Sequence, residues 1–392
     1  MSCLTLQVSA NTRDSRYGTI DKRMSTPCLS SYYTLPPNFE PSDDCVACPS
    51  YYDSPIPLCE NVYSRIMPFV TRRVQCESLT LLRKLMISPK LHRFNATDVG
   101  VELAIGSSGT VVLAKLPSES SHDFEQVAIK LFNPLQPLQL EEEYFQQHAY
   151  EIYIACMMEH ENIVHAHRAT YQDRQLGLFM EYCPHDFFNL IASDTLTPSQ
   201  IDDFFYQMIS GVRFLHRNGI AHRDLKLDNF MVTAEGTLKI VDFGFACITR
   251  SAGRDTPLLS QGLWGSDPYM APEIFTGSEY DAEKADVWSL GIIYLTCCIN
   301  RFPWEVATEE DFHYAQYLVD PLSLAKIIPN SASINLILKM LEPNPTERIS
   351  IEDVYSDPWF ASIMTSHLES KLCKKPNPLF LSSEPSLTLS LP

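Results

Sequence analysis

The chain of 392 residues exceeds the about 100–200 residues of a typical domain, so we expect one large domain with additional segments. Its formal net charge of −18 argues against a nucleic-acid partner, because nucleic-acid-binding proteins present a basic surface. No segment has the roughly 18–20 consecutive apolar residues that cross a bilayer, and residues 1–13 lack the basic start and apolar core of a secretory signal. We therefore expect a cytoplasmic protein that does not span a membrane and whose cysteines are reduced thiols.

Both ends of the chain differ in composition from the centre. Residues 1–90 are rich in Ser, Pro, Tyr and Cys, and only Leu79–Met86 has an apolar pattern, so we predict a mostly disordered arm with one short helix. Residues 365–392 are predicted to form a flexible tail. Four cysteines of the arm do not match the spacing of a zinc module, which favours free thiols over a metal site: Cys28, Cys45, Cys48 and Cys59.

The acidic charge lies outside the arm. Residues 1–92 carry ten basic and eight acidic side chains, which leaves 20 basic and 40 acidic side chains for the rest. An acidic surface attracts basic partners, but it also serves solubility alone, and the sequence leaves both interpretations open.

The central residues begin with strand patterns and continue with helical ones. Segments with the short apolar rhythm of strands are Val101–Ala104, Val111–Lys115, Gln126–Phe132, Leu178–Tyr182 and Leu238–Val241. Leu140–Met158 contains no Gly or Pro over a helical length, and the pattern is mainly helical from Pro198 onward. This order predicts an α+β chain with a small strand-rich part and a larger helical part.

A glycine-containing loop and a lysine stand on the first predicted strands. The loop of residues 106–109 (Gly-Ser-Ser-Gly) has no bulky side chains, so several of its N–H groups can approach one phosphate, although such a loop is more often only a turn. Lys130 ends the third strand, and we expect Glu151 on the following helix to reach it. A Lys–Glu pair would hold the ammonium where the α- and β-phosphates of a nucleotide bind.

The segment His222–Asn229 carries the strongest chemical signal. Asp224 offers an acceptor for a hydroxyl proton, Lys226 offers positive charge for a moving phosphoryl group, and Asn229 offers an oxygen ligand for Mg²⁺. Asp242, at the end of a predicted strand, offers a second, anionic ligand. The segment therefore indicates phosphoryl transfer to a hydroxyl with the help of Mg²⁺.

Together these motifs resemble the eukaryotic protein kinase family over about residues 94–361. The resemblance implies a bilobed fold with a β-rich N-lobe at about 94–182, which contains one long helix, and a larger helical C-lobe at about 183–361. It implies ATP and Mg²⁺ as cofactors, protein substrates as partners, Asp224 and Lys226 as catalytic residues, and Asn229 and Asp242 as metal ligands. The ATP-binding residues that it implies are Ile105, Gly106, Ser107, Ser108, Gly109, Val111, Ala128, Lys130, Glu151, Glu181 and Cys183.

Further matches to the family follow the catalytic loop. A lysine two residues after the catalytic aspartate is typical of the serine/threonine branch, and Ser266 stands where that branch places Ser or Thr beside the catalytic pair. Asp286 matches the residue that anchors the catalytic loop, and Glu273 with Arg348 matches a buried structural ion pair. The segment Gly265–Glu273 also resembles the fungal kinases associated with nutrient-permease and salt-tolerance regulation, which implies a regulator of plasma-membrane transporters.

Two positions depart from the family pattern. Ala104 replaces the first glycine of the phosphate loop, and we expect a modest change in ATP affinity from its methyl group. Gly262, which has no hydroxyl, occupies the usual phosphorylation position. If Arg223 binds an activating phosphate, that phosphate must be on another residue. The candidates for it are Ser251, Thr256 and Ser260.

Two alternatives come from other functional classes. A pseudokinase scaffold would normally lack one of four residues that are all present here: Lys130, Asp224, Asn229 and Asp242. A metabolite kinase of the same fold is disfavoured by Ala271-Pro272-Glu273 and Ser266, which favour a polypeptide substrate. The sequence does not predict the physiological substrate, the activator or the oligomeric state.

Overall fold

The computed structural model describes residues 99–117, 124–250, 257–326, 328 and 331–372. The predicted arm, its short helix and the four cysteines named above lie outside these residues, as do residues 373–392 of the predicted tail. The described residues form two compact units. The small unit contains residues 99–117, 124–159 and 164–182, and the large unit contains 160–163 and the described residues from 183 to 372. Strands dominate the first unit and helices the second, which confirms the α+β class.

The small unit is an antiparallel sheet with one long helix. Its elements are β1 (Val99–Gly106), β2 (Gly109–Pro117), β3 (Phe124–Phe132), α1 (Glu141–Met157), β4 (Ala166–Gln172) and β5 (Gln175–Glu181). The strand order is β1–β2–β3–β5–β4. Because successive side chains of a strand point to opposite faces, alternate residues of β2, β3 and β5 share one face and form a buried cluster. Its members are Val112, Ala114, Val127, Ile129 and Phe179.

Tyr144 ties α1 to this sheet. Its hydroxyl donates to the carbonyl of Asn133 at 2.9 Å and accepts from the N–H of Leu176 at 3.1 Å, and the ring is buried. At the start of the helix, the Glu143 carboxylate accepts from the N–H of Leu140 at 3.4 Å. The predicted helix and the first three predicted strands are confirmed.

The large unit consists of helices with short strands between them. Its strands are β6 (His185–Asp186), β7 (Ile220–Ala221), β8 (Phe230–Val232), β9 (Leu238–Ile240) and β10 (Cys247–Ile248). Its helices are α2 (Phe187–Ala192), α3 (Pro198–Arg217), α4 (Ala282–Ile299), α5 (Phe312–Val319), α6 (Ile334–Met340), α7 (Ile351–Tyr355) and α8 (Pro358–Leu372). Strands β6, β8 and β9 form one small sheet, and β7 pairs with β10. These short strands frame the loop of residues 222–229.

Helix α4 is buried on nearly all sides. A helix that is apolar all round belongs in a protein core, and the apolar run Leu290–Ile299 is the C-terminal half of this one. The carboxylate of Asp281 caps its N-terminus by accepting from the N–H groups of Glu283 and Lys284 at 2.9 and 3.3 Å. Within the described part of the chain, no helix combines the length and the hydropathy needed to cross a membrane.

Helix α8 corrects the predicted start of the tail. Residues 365–372, which we expected to be flexible, continue this helix to its end. His367 is buried with its Nδ1 2.6 Å from Asp203 Oδ1, and Lys371 pairs with Glu161. These tertiary contacts hold the last turns, and the polar sequence of the segment gives no sign of them.

The predicted ion pair between Glu273 and Arg348 is confirmed. The guanidinium of Arg348 is fully buried and donates to both carboxylate oxygens of Glu273 at 2.6 and 2.8 Å. Its other N–H groups donate to the carbonyls of Lys284, Glu342 and Pro343 at 2.9, 2.8 and 3.3 Å. The charge therefore loses its water but keeps a full set of hydrogen bonds.

Candidate active site

Three side chains of the large unit form a closed hydrogen-bonded triangle. Lys226 Nζ lies 2.9 Å from Asp224 Oδ2 and donates to Ser266 Oγ at 3.1 Å. The Ser266 hydroxyl donates to Asp224 Oδ1 at 3.1 Å. Asp224 is buried, whereas Lys226 keeps about a quarter of its side chain exposed. The structure thus places Ser266 beside the predicted catalytic pair, as the family resemblance implied.

A buried carboxylate holds the loop that carries Asp224. Asp286 Oδ2 and Oδ1 accept from the backbone N–H groups of His222 and Arg223, both at 2.8 Å. The Oδ2 atom also accepts from His216 Nε2 at 2.9 Å, and both side chains of that pair are almost completely buried. The prediction that Asp286 anchors the catalytic loop is confirmed.

Two residues of the site have left-handed backbone angles, which residues other than glycine rarely adopt. The φ angle is 65° at Arg223 and 60° at Asp242. Such a conformation costs on the order of 1–3 kcal/mol and persists only where neighbouring groups hold it. At Arg223, the hydrogen bond from its N–H to Asp286 holds this backbone conformation. At Asp242, the side-chain Oδ1 accepts a hydrogen bond from the N–H of Gly244 at 3.3 Å.

The amide of Asn229 is oriented by its own hydrogen bonds. Its Nδ2 donates to the carbonyl of Asp224 at 2.8 Å and to Asp224 Oδ2 at 3.2 Å. Because both contacts use the nitrogen, the amide oxygen is left as the acceptor that a cation could bind. Asp242 adds an exposed carboxylate. Carboxylate and amide oxygens are the ligands that Mg²⁺ takes in proteins, so this pair of residues fits the ion implied by the motifs.

In the small unit, Lys130 and Glu151 form the predicted pair. The Lys130 ammonium donates to Glu151 Oε1, and both side chains are buried. His148, one turn before Glu151 on α1, packs on Phe132 with ring centroids 4.5 Å apart. Burial and the nearby positive charge of Lys130 lower the pKa of His148 to about 4, so this imidazole is neutral at physiological pH.

The loop of residues 106–109 is held through its backbone. Asn133 N donates to the carbonyl of Ser108 at 2.9 Å, and Asn133 Nδ2 donates to the carbonyl of Ser107 at 2.7 Å. Gly109 has a φ of 158° and a Cβ at this position would lie 2.1 Å from the carbonyl oxygen of Leu131, so only glycine fits there. The structure therefore adds Asn133 to the site. No sequence signal indicated this residue, because an Asn after a strand usually only starts a turn.

The strand register separates the predicted ATP-binding side chains by face. Val111 pairs with Lys130, and Ala128 lies two residues before that lysine, so these three side chains share one face of the sheet. Ile105 pairs with Thr110, whose side chain points to the other face. Ile105 is also largely exposed. A nucleotide bound on the face of Val111, Ala128 and Lys130 would therefore meet the backbone of Ile105 and not its side chain.

The two remaining predicted residues differ in their surroundings. Glu181 ends β5, where its Oε1 accepts from the N–H of His165 at 2.7 Å and its own N–H donates to the carbonyl of that histidine at 3.0 Å. Cys183 belongs to the large unit and is buried.

Arg223, through which a phosphorylation switch would act, contacts other groups of the protein. Its Nε donates to the carbonyl of Phe245 at 2.6 Å, and its guanidinium carbon lies 5.0 Å from the ring centroid of Trp264. Ser260 is buried, and its backbone exchanges hydrogen bonds of 2.8 and 2.9 Å with Tyr280. Ser251 and Thr256 lie outside the described residues.

The sequence profile of the protein kinase domain matches residues 98–360. The chain belongs to the protein kinase family. The chain is 37% identical over 229 residues to the probable serine/threonine-protein kinase RTK1 of Saccharomyces cerevisiae, with 56% of this chain and 37% of the relative covered. It is 32% identical over 282 residues to the serine/threonine-protein kinase HAL4/SAT4 of the same yeast, with 68% of this chain and 46% of that relative covered.

A third relative is the nitrogen permease reactivator protein of Saccharomyces cerevisiae, 27% identical over 314 residues, with 69% of this chain and 39% of the relative covered. The chain spans less than half the length of each of these relatives. The resemblance to fungal regulatory kinases that the motifs indicated is confirmed by these matches.

Proposed function

We propose that this chain is a serine/threonine protein kinase that transfers the γ-phosphoryl group of ATP to Ser or Thr hydroxyls of protein substrates. The triangle of Asp224, Lys226 and Ser266 carries the proposal. A substrate hydroxyl beside Asp224 meets a carboxylate that can accept its proton. The Lys226 ammonium supplies positive charge at the same point, where negative charge moves during transfer.

Each of the two units offers groups that suit part of the nucleotide or its metal ion. Lys130, fixed by Glu151, presents an ammonium for the phosphates, and the backbone N–H groups of the loop 106–109 present further donors. Asn229 and Asp242 would ligate Mg²⁺, which neutralises phosphate charge when it is bound. The common face of Val111, Ala128 and Lys130 supports contact of the first two side chains with the nucleotide. We take residues 94–361 as the catalytic domain.

The alternatives predict different chemistry. A scaffold without transfer activity would not need the closed triangle, and all four residues whose loss marks such proteins are present. The position of Ser266, in a turn beside the catalytic pair, supports a polypeptide acceptor over a small metabolite.

A finer proposal concerns the cellular target. We propose that the protein acts in the cytoplasm and regulates plasma-membrane transporters by phosphorylating their cytoplasmic segments. The support is the match to a relative whose name describes reactivation of a nitrogen permease. Faster phosphorylation of peptides from cytoplasmic tails of fungal permeases than of scrambled peptides would support this target class, and equal rates would refute it.

The test of the activity uses the purified full chain with Mg·ATP and a generic basic protein. We expect ADP release and phosphoserine or phosphothreonine in the acceptor. Turnover should fall by about 100-fold or more in Asp224→Asn, Lys130→Met and Asp242→Asn. Each variant should still unfold cooperatively, and Lys130→Met should do so at a lower temperature because Glu151 loses its partner in a buried pair. Asp320→Asn, which changes a half-exposed carboxylate of the large unit, is the matched control and should retain activity. Equal turnover of the wild type and the Asp224 variant would refute the assignment.

A further inference from the structure

Asp267 directly follows the serine of the catalytic triangle. It opens a short 3₁₀ turn, Asp267–Tyr269, and its side chain is exposed, whereas Ser266 before it contacts Asp224 and Lys226. The hydrogen bond that the structure shows for Asp267 uses its backbone carbonyl, which accepts from the N–H of Met270 at 3.4 Å. Its carboxylate makes no hydrogen bond or ion pair with any residue in the described part of the chain.

The backbone that carries this carboxylate is fixed by its neighbours. The N–H of Tyr269 donates to the carbonyl of Ser266 at 2.9 Å, and the Tyr269 carbonyl accepts from Ser289 Oγ at 2.8 Å. The hydroxyl of Tyr269 accepts from the N–H of Leu227 at 3.4 Å, which joins the turn to the catalytic loop. Tyr269 itself is buried, and burial raises its pKa, so the phenol stays neutral. The backbone of residue 267 is therefore held close to the catalytic loop that carries Asp224.

We propose that Asp267 makes this site prefer substrates with Lys or Arg next to the phosphorylated residue. The proposal rests on the kinase activity proposed above and names its substrate class. Ser266 contacts Asp224 at 3.1 Å, so a substrate whose acceptor hydroxyl is within hydrogen-bond reach of Asp224 would lie close to Ser266 and to Asp267, the next residue. Because consecutive Cα atoms are about 3.8 Å apart, a long basic side chain one or two residues from the acceptor can reach the Asp267 carboxylate.

The charges around the turn favour a basic neighbour over an acidic one. Lys226 already pairs with Asp224 and donates to Ser266, so its positive charge attracts an acidic substrate residue only weakly. Asp228, on the catalytic loop, is exposed and lies close enough to Tyr269 for its charge to act on that phenol. Asp228 therefore adds to the negative potential, and the experiment has to separate the two aspartates.

The experiment measures kcat/KM of the full chain on peptides with one acceptor serine. Lys, Gln or Glu stands in turn at each of the two positions before and the two positions after the serine, with neutral residues elsewhere. At each position, the kcat/KM of the Lys peptide is divided by the kcat/KM of the Glu peptide. A general loss of activity in a variant lowers both values equally and leaves this ratio unchanged. For the wild type we expect a ratio of about five or more at one position, decreasing with added salt, because an exposed ion pair is screened.

The variants assign that preference to its residue. Asp267→Asn should bring the ratio at that position close to one and leave the other positions unchanged, and Asp267→Lys should invert it. Asp228→Asn, which removes a charge near the turn, should lower the ratio at that position less than Asp267→Asn does, and Asp320→Asn should leave every ratio unchanged. An unaltered ratio in both Asp267 variants would overturn the proposal while leaving the kinase activity intact. Absence of phosphorylation of every peptide by the wild type, matching Asp224→Asn, would instead refute the activity and the proposal together.

Discussion

Replacement of Arg348 by Met should strongly destabilise the large unit. The substitution removes five hydrogen bonds: two to the Glu273 carboxylate and three to backbone carbonyls. The Glu273 carboxylate, only 10% exposed, then stays in the protein without its partner. Loss of one member of a buried ion pair costs about 3–5 kcal/mol, because the remaining charge is neither hydrated nor neutralised. For a domain of this size we expect a decrease of the unfolding midpoint by about 6–20 °C.

Thermal and urea unfolding of the purified full chain measure this effect. In the double variant Glu273→Gln, Arg348→Met no charge is left buried, so its loss of stability should be smaller than the sum of the two single losses. Lys326→Gln, which removes an exposed pair with Asp320 at 3.9 Å, is the control and should leave the midpoint unchanged within error. A decrease below about 1 kcal/mol for Arg348→Met, the level of an exposed pair, would refute the reasoning.

Two further predictions concern stability. Asp281→Ala removes the cap of α4 and leaves two N–H groups of its first turn without their acceptor. The free energy of unfolding in urea should therefore fall by about 0.5–2 kcal/mol, and Asp281→Asn should retain most of the wild-type stability. The neutral, buried His148 has a folded-state pKa of about 4, below the value of about 6.5 expected in the unfolded chain. The unfolded chain therefore binds the extra proton, and stability should fall by up to about 3 kcal/mol between pH 6.5 and pH 4. His148→Gln should flatten this dependence, and an unchanged slope would contradict it.

Motif spacing predicted the chemical centre of this fold well. Asp224, Lys226 and Ser266 meet as expected, as do Lys130 with Glu151 and the anchoring residues of the catalytic loop. These residues have defined chemical tasks, which restrict both their type and their order along the chain. Strands with an apolar rhythm were equally clear, because their side chains form the buried face of one sheet.

Contacts that depend on tertiary packing were not predictable in the same way. Strand β4 (Ala166–Gln172) is mostly polar and alternates too weakly to indicate a strand, yet it completes the sheet beside β5. The end of α8 is ordered by His367, whose partner lies 164 residues away in the sequence. The stacking of Arg223 on Trp264 joins a loop residue to a segment about 40 residues later. No local pattern encodes such pairs, since each depends on where distant segments meet.

The pair of Glu273 and Arg348 also sets the order in which this fold can be completed during synthesis. The two residues are 75 positions apart, and a ribosome adds about 5–20 residues per second, so roughly 4–15 s separate their appearance. During this interval the carboxylate of Glu273 has no guanidinium to meet. A nascent chain that has not reached Arg348 therefore already carries the triangle of Asp224, Lys226 and Ser266 but lacks the anchor of the segment that holds its serine.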